Sequence, residues 1–278
     1  MKKRVIIISF FILVVFLFPI YSQRTDSDST DQAELETILK KCAEYCEKLA
    51  NVVLFFVCQE EIKEEIFILP DMGRIERNVY VYDYQLICKK NEIDERRILL
   101  QENGQKKHEK DAQLKTMIFT YKNIIFGPID LLSEDRQQYN DYRIVKEEKL
   151  KGEKSIVIEA VPKPFFKSDY LFGKIWVRKN DFNILKIEWK QQSIKNYKII
   201  EETARKIGAE PQITLISEYG FEKNGIGFPS KLFIKEAYSS PRIRRFIRCK
   251  YTVIYDRYKF FTVKTESKIK REISSIGD

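Results

Sequence analysis

Histidine is almost missing from this sequence, and so are the short motifs that mark common catalytic sites. The single histidine, His108, lies in the charged stretch QKKHEKD, which is typical of a solvated loop. The chain contains no G-x-S-x-G, no H-E-x-x-H and no glycine loop that could bind phosphate. These absences predict a protein that is not an enzyme and that uses no metal or cofactor.

The carboxylate pairs Glu60-Glu61 and Glu64-Glu65 are the remaining candidates for acid–base chemistry. Their place in a predicted strand favours its solvent face or its edge over a catalytic site. A sequence pattern does not exclude two distant carboxylates that converge on folding, as in glycosidases. That arrangement is the enzymatic alternative that stays open.

Cysteine is scarce as well: the chain has five, an odd number, so at least one has no partner within the chain. Two of them are four residues apart, which places them on one face of a predicted helix. No C-x-x-C motif and no second histidine offer zinc spacing. We expect buried, unreactive thiols, with one structural disulfide or a metal site as the less favoured alternatives. The five are Cys42, Cys46, Cys58, Cys88 and Cys249.

The long apolar run of this chain lies at its N-terminus. Three cations, at residues 2–4, precede a run from Val5 to Phe18 that Pro19 ends. The run is shorter than the roughly 20 apolar residues that span a bilayer, so it predicts a secretory signal peptide over residues 1–22. We expect an exported protein in the periplasm of a Gram-negative-type bacterium. An uncleaved N-terminal membrane anchor is the alternative.

The charge of the chain is predominantly positive. The formal net charge is +9, and it becomes +6 once the three cations of the signal peptide are removed. For an exported protein, this balance favours anionic membrane surfaces or envelope polymers as partners, and not nucleic acid.

Changes in composition divide the rest of the chain. Residues 23–32, QRTDSDSTDQ, are polar and are predicted to form a disordered linker. An amphipathic helix is predicted over about residues 32–50, because apolar side chains recur there at helical spacing. We expect a single domain over residues 33–270 and a flexible tail over residues 271–278.

Alternation with a period of two residues dominates the chain beyond this helix. The segments are rich in Ile, Val, Tyr and Phe, and Asn103-Gly104 and Asn224-Gly225 supply turn residues that favour positive φ. At least nine antiparallel strands are therefore predicted, with no βαβ rhythm that would indicate a parallel sheet. The predicted strand segments are 58–69, 78–90, 96–102, 155–161, 173–190, 213–222, 230–238, 244–256 and 260–270.

Two interruptions of this pattern are predicted to be helical and to cover one face of the sheet. Residues 127–142 have Pro128 at a favourable helix start, and residues 196–211 have Gly208 as a C-terminal cap and Pro211 as a stop. The predicted fold class is α+β: a strongly curved antiparallel sheet of about 9–11 strands, with an N-terminal helix and one or two short covering helices. Such a sheet is an incomplete β-barrel.

The stretch GKIWVRKNDFNILKIEWK, residues 173–190, predicts a hairpin with one apolar and one charged face. On the charged face, Trp176 is expected to pack against the stems of long cations. The apolar face is a candidate wall of a cavity, which either side chains or an apolar ligand could fill, and filling by side chains is the more common outcome. The candidate lipid-binding residues are Ile175, Val177, Leu185, Ile187, Trp189, Leu215 and Tyr219.

The same hairpin resembles one in the outer-membrane lipoprotein-sorting (lipoprotein carrier) superfamily. In that group, a strand with a tryptophan, here Trp176, passes through a short turn, here Asn180 and Asp181, into a second apolar strand, here Ile184–Trp189. The stretch YGFEKNGIGFPSKLFIKE, residues 219–236, is similar to a later hairpin of that group's exported relatives.

This resemblance implies an incomplete β-barrel whose apolar concave side receives lipids or the acyl chains of lipoproteins on their way to the outer membrane. The partners would be a lipid or acylated lipoprotein and a membrane-bound donor or acceptor protein. The chain is longer than the classical carrier, with residues 108–141 as a candidate insertion and residues 127–142 as a candidate lid. The alternative function is an envelope scaffold with a packed core and no ligand.

A row of cations in PRIRRFIRCK, residues 241–250, adds a candidate docking surface. Each cation near an anionic membrane contributes about 1 kcal/mol, which salt screens. The row could dock such a membrane or a partner protein, or it could be an ordinary solvated face of the sheet. Its members are Arg242, Arg244, Arg248 and Lys250.

Overall fold

The computed structural model describes residues 25–68, 74–89, 92–119, 121, 124–165, 171–195, 197–241 and 245–261. The predicted signal peptide and C-terminal tail lie outside the described residues, as do Arg242 and Arg244. Within the described ranges, no helix combines the length and the apolar character needed to cross a membrane.

The described chain forms four α-helices and thirteen β-strands. In chain order they are α1 Thr25–Val52, β1 Phe56–Phe67, β2 Ile75–Lys89, β3 Glu92–Glu102, β4 Gln105–Glu109, α2 Gly127–Leu132, α3 Glu134–Gln137, β5 Asn140–Leu150, β6 Glu153–Pro162, β7 Gly173–Arg178, β8 Ile184–Trp189, α4 Tyr197–Lys206, β9 Glu210–Glu218, β10 Phe221–Lys223, β11 Ile226–Phe228, β12 Lys231–Ser239 and β13 Phe246–Phe260.

Eleven of these strands form one antiparallel sheet in the order β4-β3-β2-β1-β13-β12-β9-β8-β7-β6-β5. The first long strand therefore pairs with the last, and β4 and β5 form the two edges, which are not joined to each other. The strands β10 and β11 form a separate hairpin. The prediction of an open, barrel-like antiparallel sheet with a few helices is confirmed.

One face of the sheet, here called the inner face, packs against the helices. Strict alternation selects the side chains that point to it: in β1, Cys58 and Ile62 are buried while Lys63 is exposed, and in β13, Tyr251 and Val253 are buried. The inward side chains of the strands join those of α1 and α2 in a single apolar cluster, here called the main core.

Helix α1 contributes a buried stripe to the main core and is longer than the sequence predicts. It contacts α2, α3, β5 and β11, and Tyr45 Oη donates a hydrogen bond of 2.7 Å to the Gly227 carbonyl oxygen. Residues 25–32, predicted as part of a disordered linker, belong to this helix. Their sequence is polar and has no apolar stripe that would predict a helix. The buried stripe is Leu35, Ile38, Cys42, Tyr45, Cys46 and Leu49.

The segment predicted as one helix over residues 127–142 is divided. Helix α2 ends where Ser133 takes an extended conformation, with ψ of 152°, and α3 follows as a single turn. The edge strand β5 then begins at Asn140, which the sequence analysis did not predict. The predicted helix start at Pro128 is confirmed.

The second covering helix and the hairpin turns follow the sequence closely. Helix α4 ends before Gly208, whose φ of +64° fits a C-terminal cap, although Pro211 already lies in β9. Both predicted Asn-Gly turns have positive φ at their two central residues, and Lys151-Gly152 forms a third turn of this kind. Strand β13 continues through residues 257–259, where the sequence predicted a break.

Close approach of two strands makes Gly173 a test of the β7–β8 pairing. A Cβ atom there would lie 2.1 Å from the Glu188 carbonyl oxygen, so Gly173→Ala requires the backbone to move. We expect urea denaturation to show a loss of about 1–3 kcal/mol in the free energy of unfolding. Gly227→Ala is the matched control, because its Cβ would make an ordinary contact of 3.4 Å. Equal stability of the two variants would contradict this packing.

Candidate functional site

Six of the seven predicted lipid-binding residues lie on the inner face within the main core. The exception is Leu185, because a bulge in the β7–β8 pairing sets Val177 opposite Ile184 and Trp176 opposite Lys186. Ile184 therefore takes the inward position, and Leu185 is half-buried outside the main core. The six core residues are Ile175, Val177, Ile187, Trp189, Leu215 and Tyr219.

Helix α2 covers this part of the inner face directly. A Cβ on Gly127 would lie 2.8 Å from Tyr219 Oη and 2.9 Å from the indole of Trp189. The indole Nε1 donates a hydrogen bond of 2.9 Å to Ser217 Oγ, so the neighbouring strand β9 also fixes the position of Trp189. This half of the inner face is packed by protein, and a contact between these residues and a lipid stays a prediction.

Trp176 lies on the opposite face of the hairpin, as predicted. The Lys186 ammonium is 3.5 Å from the centroid of its ring, and the indole Nε1 donates to Glu148. The ring thus packs against a long cation, but this cation is Lys186 of the paired strand β8, and not one of the neighbours Lys174 and Arg178 that the sequence suggested.

The other half of the inner face, formed by β1, β2, β3 and β13, is covered differently. Residues 111–119, here called the strap, cross it without regular secondary structure. Leu114, Ile118 and Phe119 pack against the main core, while Met117 is 61% exposed. The strap lies in the region predicted as an insertion, residues 108–141.

Side chains of the sheet hold the strap by its backbone. Met117 N–H donates to Glu64 Oε1 at 2.8 Å, and Lys115 N–H donates to Tyr82 Oη at 3.2 Å. The backbone N–H groups of Ile118 and Phe119 both donate to Tyr251 Oη, at 3.1 and 3.2 Å. Four backbone amides of the strap, those of residues 115 and 117–119, therefore donate hydrogen bonds to oxygen atoms of the inner face.

Glu64 and Tyr251 form the centre of this contact. The Tyr251 hydroxyl donates to Glu64 Oε1 at 2.6 Å while it accepts the two strap amides, which uses its donor and both lone pairs. Asn78 Nδ2 donates to the other carboxylate oxygen at 3.0 Å. The carboxylate is thus solvated by neutral donors of the protein.

A second buried carboxylate, Glu60, lies four residues before Glu64 in β1, so both side chains point to the inner face. It accepts two hydrogen bonds from the Arg97 guanidinium, at 2.6 and 3.2 Å, and one each from the hydroxyls of Tyr121 and Tyr255. Arg97 also pairs with Glu95 at 2.9 Å. Every oxygen of Glu60 is occupied by a protein donor, so this cluster is built as a structural centre.

Burial and charge shift the pKa values of this cluster. Burial lowers the pKa of Arg97, but the negative charge of Glu60 and then of Glu95 outweighs it, so the pKa lies above its ordinary value. Burial raises the pKa of Tyr121 and Tyr255 well above 10, and that of Tyr82 to about 12. These tyrosines are therefore neutral at physiological pH, and the hydroxyls of Tyr121 and Tyr255 donate to Glu60.

The prediction that these carboxylates lie on a solvent face or an edge is wrong. Glu60 and Glu64 were expected on a solvent face or edge, yet they are 0% and 1% exposed. Glu60 and Glu64 continue the spacing of two residues set by Cys58 and Ile62, so all four side chains point to the same face of the strand. This period-two pattern was the signal that would have placed the carboxylates on the inner face. Carboxylates are seldom buried unless they are paired, and their charge therefore favoured an exposed position. The partners that compensate their burial are distant in sequence and were not recognised.

The predicted basic row is only partly described. Arg248 pairs with the buried Glu236 at 2.9 Å, and Lys250 lies 3.8 Å from Glu65. Each of these two cations therefore has an acidic partner. Docking of a membrane or protein by this row stays a prediction.

The described thiols are buried and free, as predicted. Cys42, Cys46, Cys58 and Cys249 form no disulfide, and burial raises the pKa of Cys42 and of Cys249 to about 12. The side chain of Cys88 lies outside the described part. Among the described residues, no group of three or more histidine, cysteine or acidic side chains could hold a metal ion.

Comparisons with known proteins identify structural relatives. A family model with the description "Uncharacterized protein" matches residues 126–216. No curated protein matches the chain.

Similar solved structures include a DUF1329 family protein from Desulfovibrio piger, with 10% identity, TM-score 0.39, and coverage of 84% of this chain and 97% of that one. A LolA superfamily protein from Nitrosomonas europaea has 14% identity, TM-score 0.35 and coverage of 82% and 94%. A candidate outer membrane lipoprotein-sorting protein domain from Vibrio parahaemolyticus has 11% identity, TM-score 0.40 and coverage of 82% and 95%. The last two of these structures are named as members of the LolA superfamily or as a lipoprotein-sorting protein domain.

The buried ion pair gives a direct test of the centre described above. Arg97→Met leaves Glu60 buried without its cation, and we expect urea denaturation to show a loss of about 3–5 kcal/mol in the free energy of unfolding. Arg96→Met is the matched control, since this neighbouring arginine forms a more exposed pair with Asp111 at 2.9 Å. Its loss should stay below about 1 kcal/mol. Similar losses in both variants would show that the Glu60–Arg97 contact is not formed.

Proposed function

We propose that the protein is an extracytoplasmic, non-enzymatic binding protein that holds a lipid or an acylated chain on the inner face of its open sheet. The observation that carries this proposal is the strap. One half of the inner face is covered by helices that fill the main core, whereas the other half is covered by a segment without regular secondary structure. A ligand can take the place of such a segment without unfolding the sheet.

The contacts of the strap support an apolar ligand. Ala112 of the strap is buried in the main core, and Leu114, Ile118 and Phe119 pack against it. An acyl chain in the same place would bury a comparable surface, with about 0.8 kcal/mol from each methylene removed from water. We therefore propose residues 111–119 as the movable cover, in place of the segment 127–142 that the sequence suggested as a lid.

The two buried carboxylates support binding over catalysis. All oxygens of Glu60 and Glu64 accept hydrogen bonds from protein groups that fix their positions. Acid–base chemistry requires a carboxylate within reach of a substrate proton, and these side chains are 0% and 1% exposed. Export and the periplasmic location rest on the N-terminal sequence.

A packed scaffold without ligand is the second candidate. The observation that favours it is the cover of α2 over Trp189 and Tyr219, which leaves the predicted lipid-binding residues in contact with protein. The two candidates differ in what the purified protein contains.

Solvent extraction and mass spectrometry of residues 23–278, purified from an export-competent host without detergent, test the proposal. We expect a lipid in stoichiometric amount, because an apolar site filled during export retains its ligand in water. A protein that contains no lipid and also ignores added fatty acids and phospholipids would favour the scaffold.

Tyr251→Phe tests whether the strap controls access. The substitution removes the acceptor of two strap amides and so favours the open state by about 1 kcal/mol, or on the order of fivefold in affinity for a fluorescent fatty acid. Tyr45→Phe is the matched control, because its hydroxyl bonds Gly227, in another part of the core. An affinity that rises equally in both variants, or in neither, would contradict control by the strap.

A further inference from the structure

We infer that the site beneath the strap recognises an extended polypeptide segment through its backbone N–H groups. This inference rests on the proposed function, since it requires the strap to leave the inner face. It names the class of ligand that replaces the strap: a peptide with apolar side chains, as part of an acylated protein, in preference to a free lipid.

The oxygen atoms of the inner face define this preference. Glu64, Tyr251 and Tyr82 together accept four backbone N–H groups of the strap. A hydrocarbon chain has no donors, so the hydroxyl oxygens of Tyr251 and Tyr82 would be buried without the N–H groups that they accept, at a cost of about 1–3 kcal/mol for each. Glu64 Oε1 would keep only the hydrogen bond from Tyr251. An extended peptide supplies the same donors as the strap.

The electrostatic environment of Glu64 points the same way. Its hydrogen bonds come from Asn78, Tyr251 and the strap, and it forms no ion pair with any described residue. Glu60, by contrast, has the guanidinium of Arg97 at 2.6 Å. A buried carboxylate without a cation depends on neutral donors, and one of these is lost when the strap departs.

The strap also indicates which side chains a peptide ligand would have. Phe119 lies with its ring centroid 6.3 Å from that of Tyr251, and it packs against the main core together with Ile118. The Met117 side chain is 61% exposed, and its sulfur accepts a hydrogen bond of 3.9 Å from Asn78 Nδ2 at the edge of the site. The site should therefore select apolar groups at the positions of Ile118 and Phe119 and be less selective at the position of Met117.

Competition with the tethered strap sets the design of the experiment. An intramolecular segment acts at an effective concentration of about millimolar, so a free peptide at micromolar concentration binds measurably only when the strap is weakened. Displacing the strap of the wild-type protein requires free peptide in excess of this effective concentration. The variant Ile118→Ser/Phe119→Ser weakens it without changing the acceptors on the sheet. The probe is a fluorescein-labelled peptide of residues 113–119, QLKTMIF, whose binding is followed by anisotropy.

We expect this peptide to bind the double variant about tenfold or more tightly than it binds the wild-type protein. A second peptide, N-methylated at the three amides that correspond to Met117, Ile118 and Phe119, keeps the side chains but lacks the donors. It should bind at least about tenfold more weakly than the unmodified peptide. Equal binding of the two peptides would overturn recognition of the backbone.

Fatty acid binding separates this inference from the proposed function. If the double variant binds a fluorescent fatty acid but not the peptide, the inference fails and lipid binding stands. If it binds the peptide but not the fatty acid, the inference holds and lipid binding fails. Binding of neither probe would overturn both.

Hydrogen exchange of the wild-type protein provides a test that does not depend on the folding of the variant. Excess unmodified peptide should accelerate exchange at the amides of Met117, Ile118 and Phe119 by displacing them from Tyr251 and Glu64. The N-methylated peptide should leave these rates unchanged. Unchanged exchange with both peptides would contradict displacement.

Discussion

The pairing of β1 with β13 is the contact on which the rest of the inner face depends. Its register sets Glu60 opposite Tyr255 and Glu64 opposite Tyr251, so each carboxylate meets a hydroxyl across the ladder. On the other side of β1, the pairing with β2 brings Asn78 opposite Glu64. A shift of one residue would turn both carboxylates to the outer face and remove the acceptors that hold the strap.

The two halves of the inner face differ in how their cover is attached. Helices α1 and α2 bind the inner face mainly through buried apolar side chains. Polar groups of a ligand could not replace these contacts. The strap is fixed by hydrogen bonds from its amides as well as by apolar side chains. Because such bonds contribute only about 1 kcal/mol net each, they can be exchanged for those of another molecule. One half of the sheet is therefore covered mainly by apolar packing, and the half under the strap is the one at which we propose a ligand to bind.

Local patterns in the sequence were sufficient for much of the fold. The two Asn-Gly turns, the faces of the β7–β8 hairpin and the buried stripe of α1 follow from spacing within a few residues. Leu185 was misplaced because a bulge in β8 changes the alternation, and a bulge leaves no mark in composition. The strand β5 was missed because its charged residues obscure its weak alternation.

The candidate site could not be predicted from local patterns, because the residues that form it are far apart in sequence. Glu64 and its partner Tyr251 are 187 residues apart, so nothing near Glu64 indicates that its burial is compensated. The strap has no periodicity, since its backbone is bound by side chains from other strands. Polar contacts of this kind become visible only when the register of the sheet is known.

The long separation between β1 and β13 also determines the order in which the protein can fold. During synthesis from the N-terminus, β1, β2 and β3 are complete long before the strand that lies beside β1 exists. Until then, Glu60 and Glu64 lack the hydroxyls of Tyr255 and Tyr251, and the edge of β1 is unpaired. Contacts of such long range are slow to form, because a large loop must close before they contribute. The pairing of β1 can therefore be completed only after the C-terminal strand β13 has been made, which leaves the edge of β1 open to other partners until then.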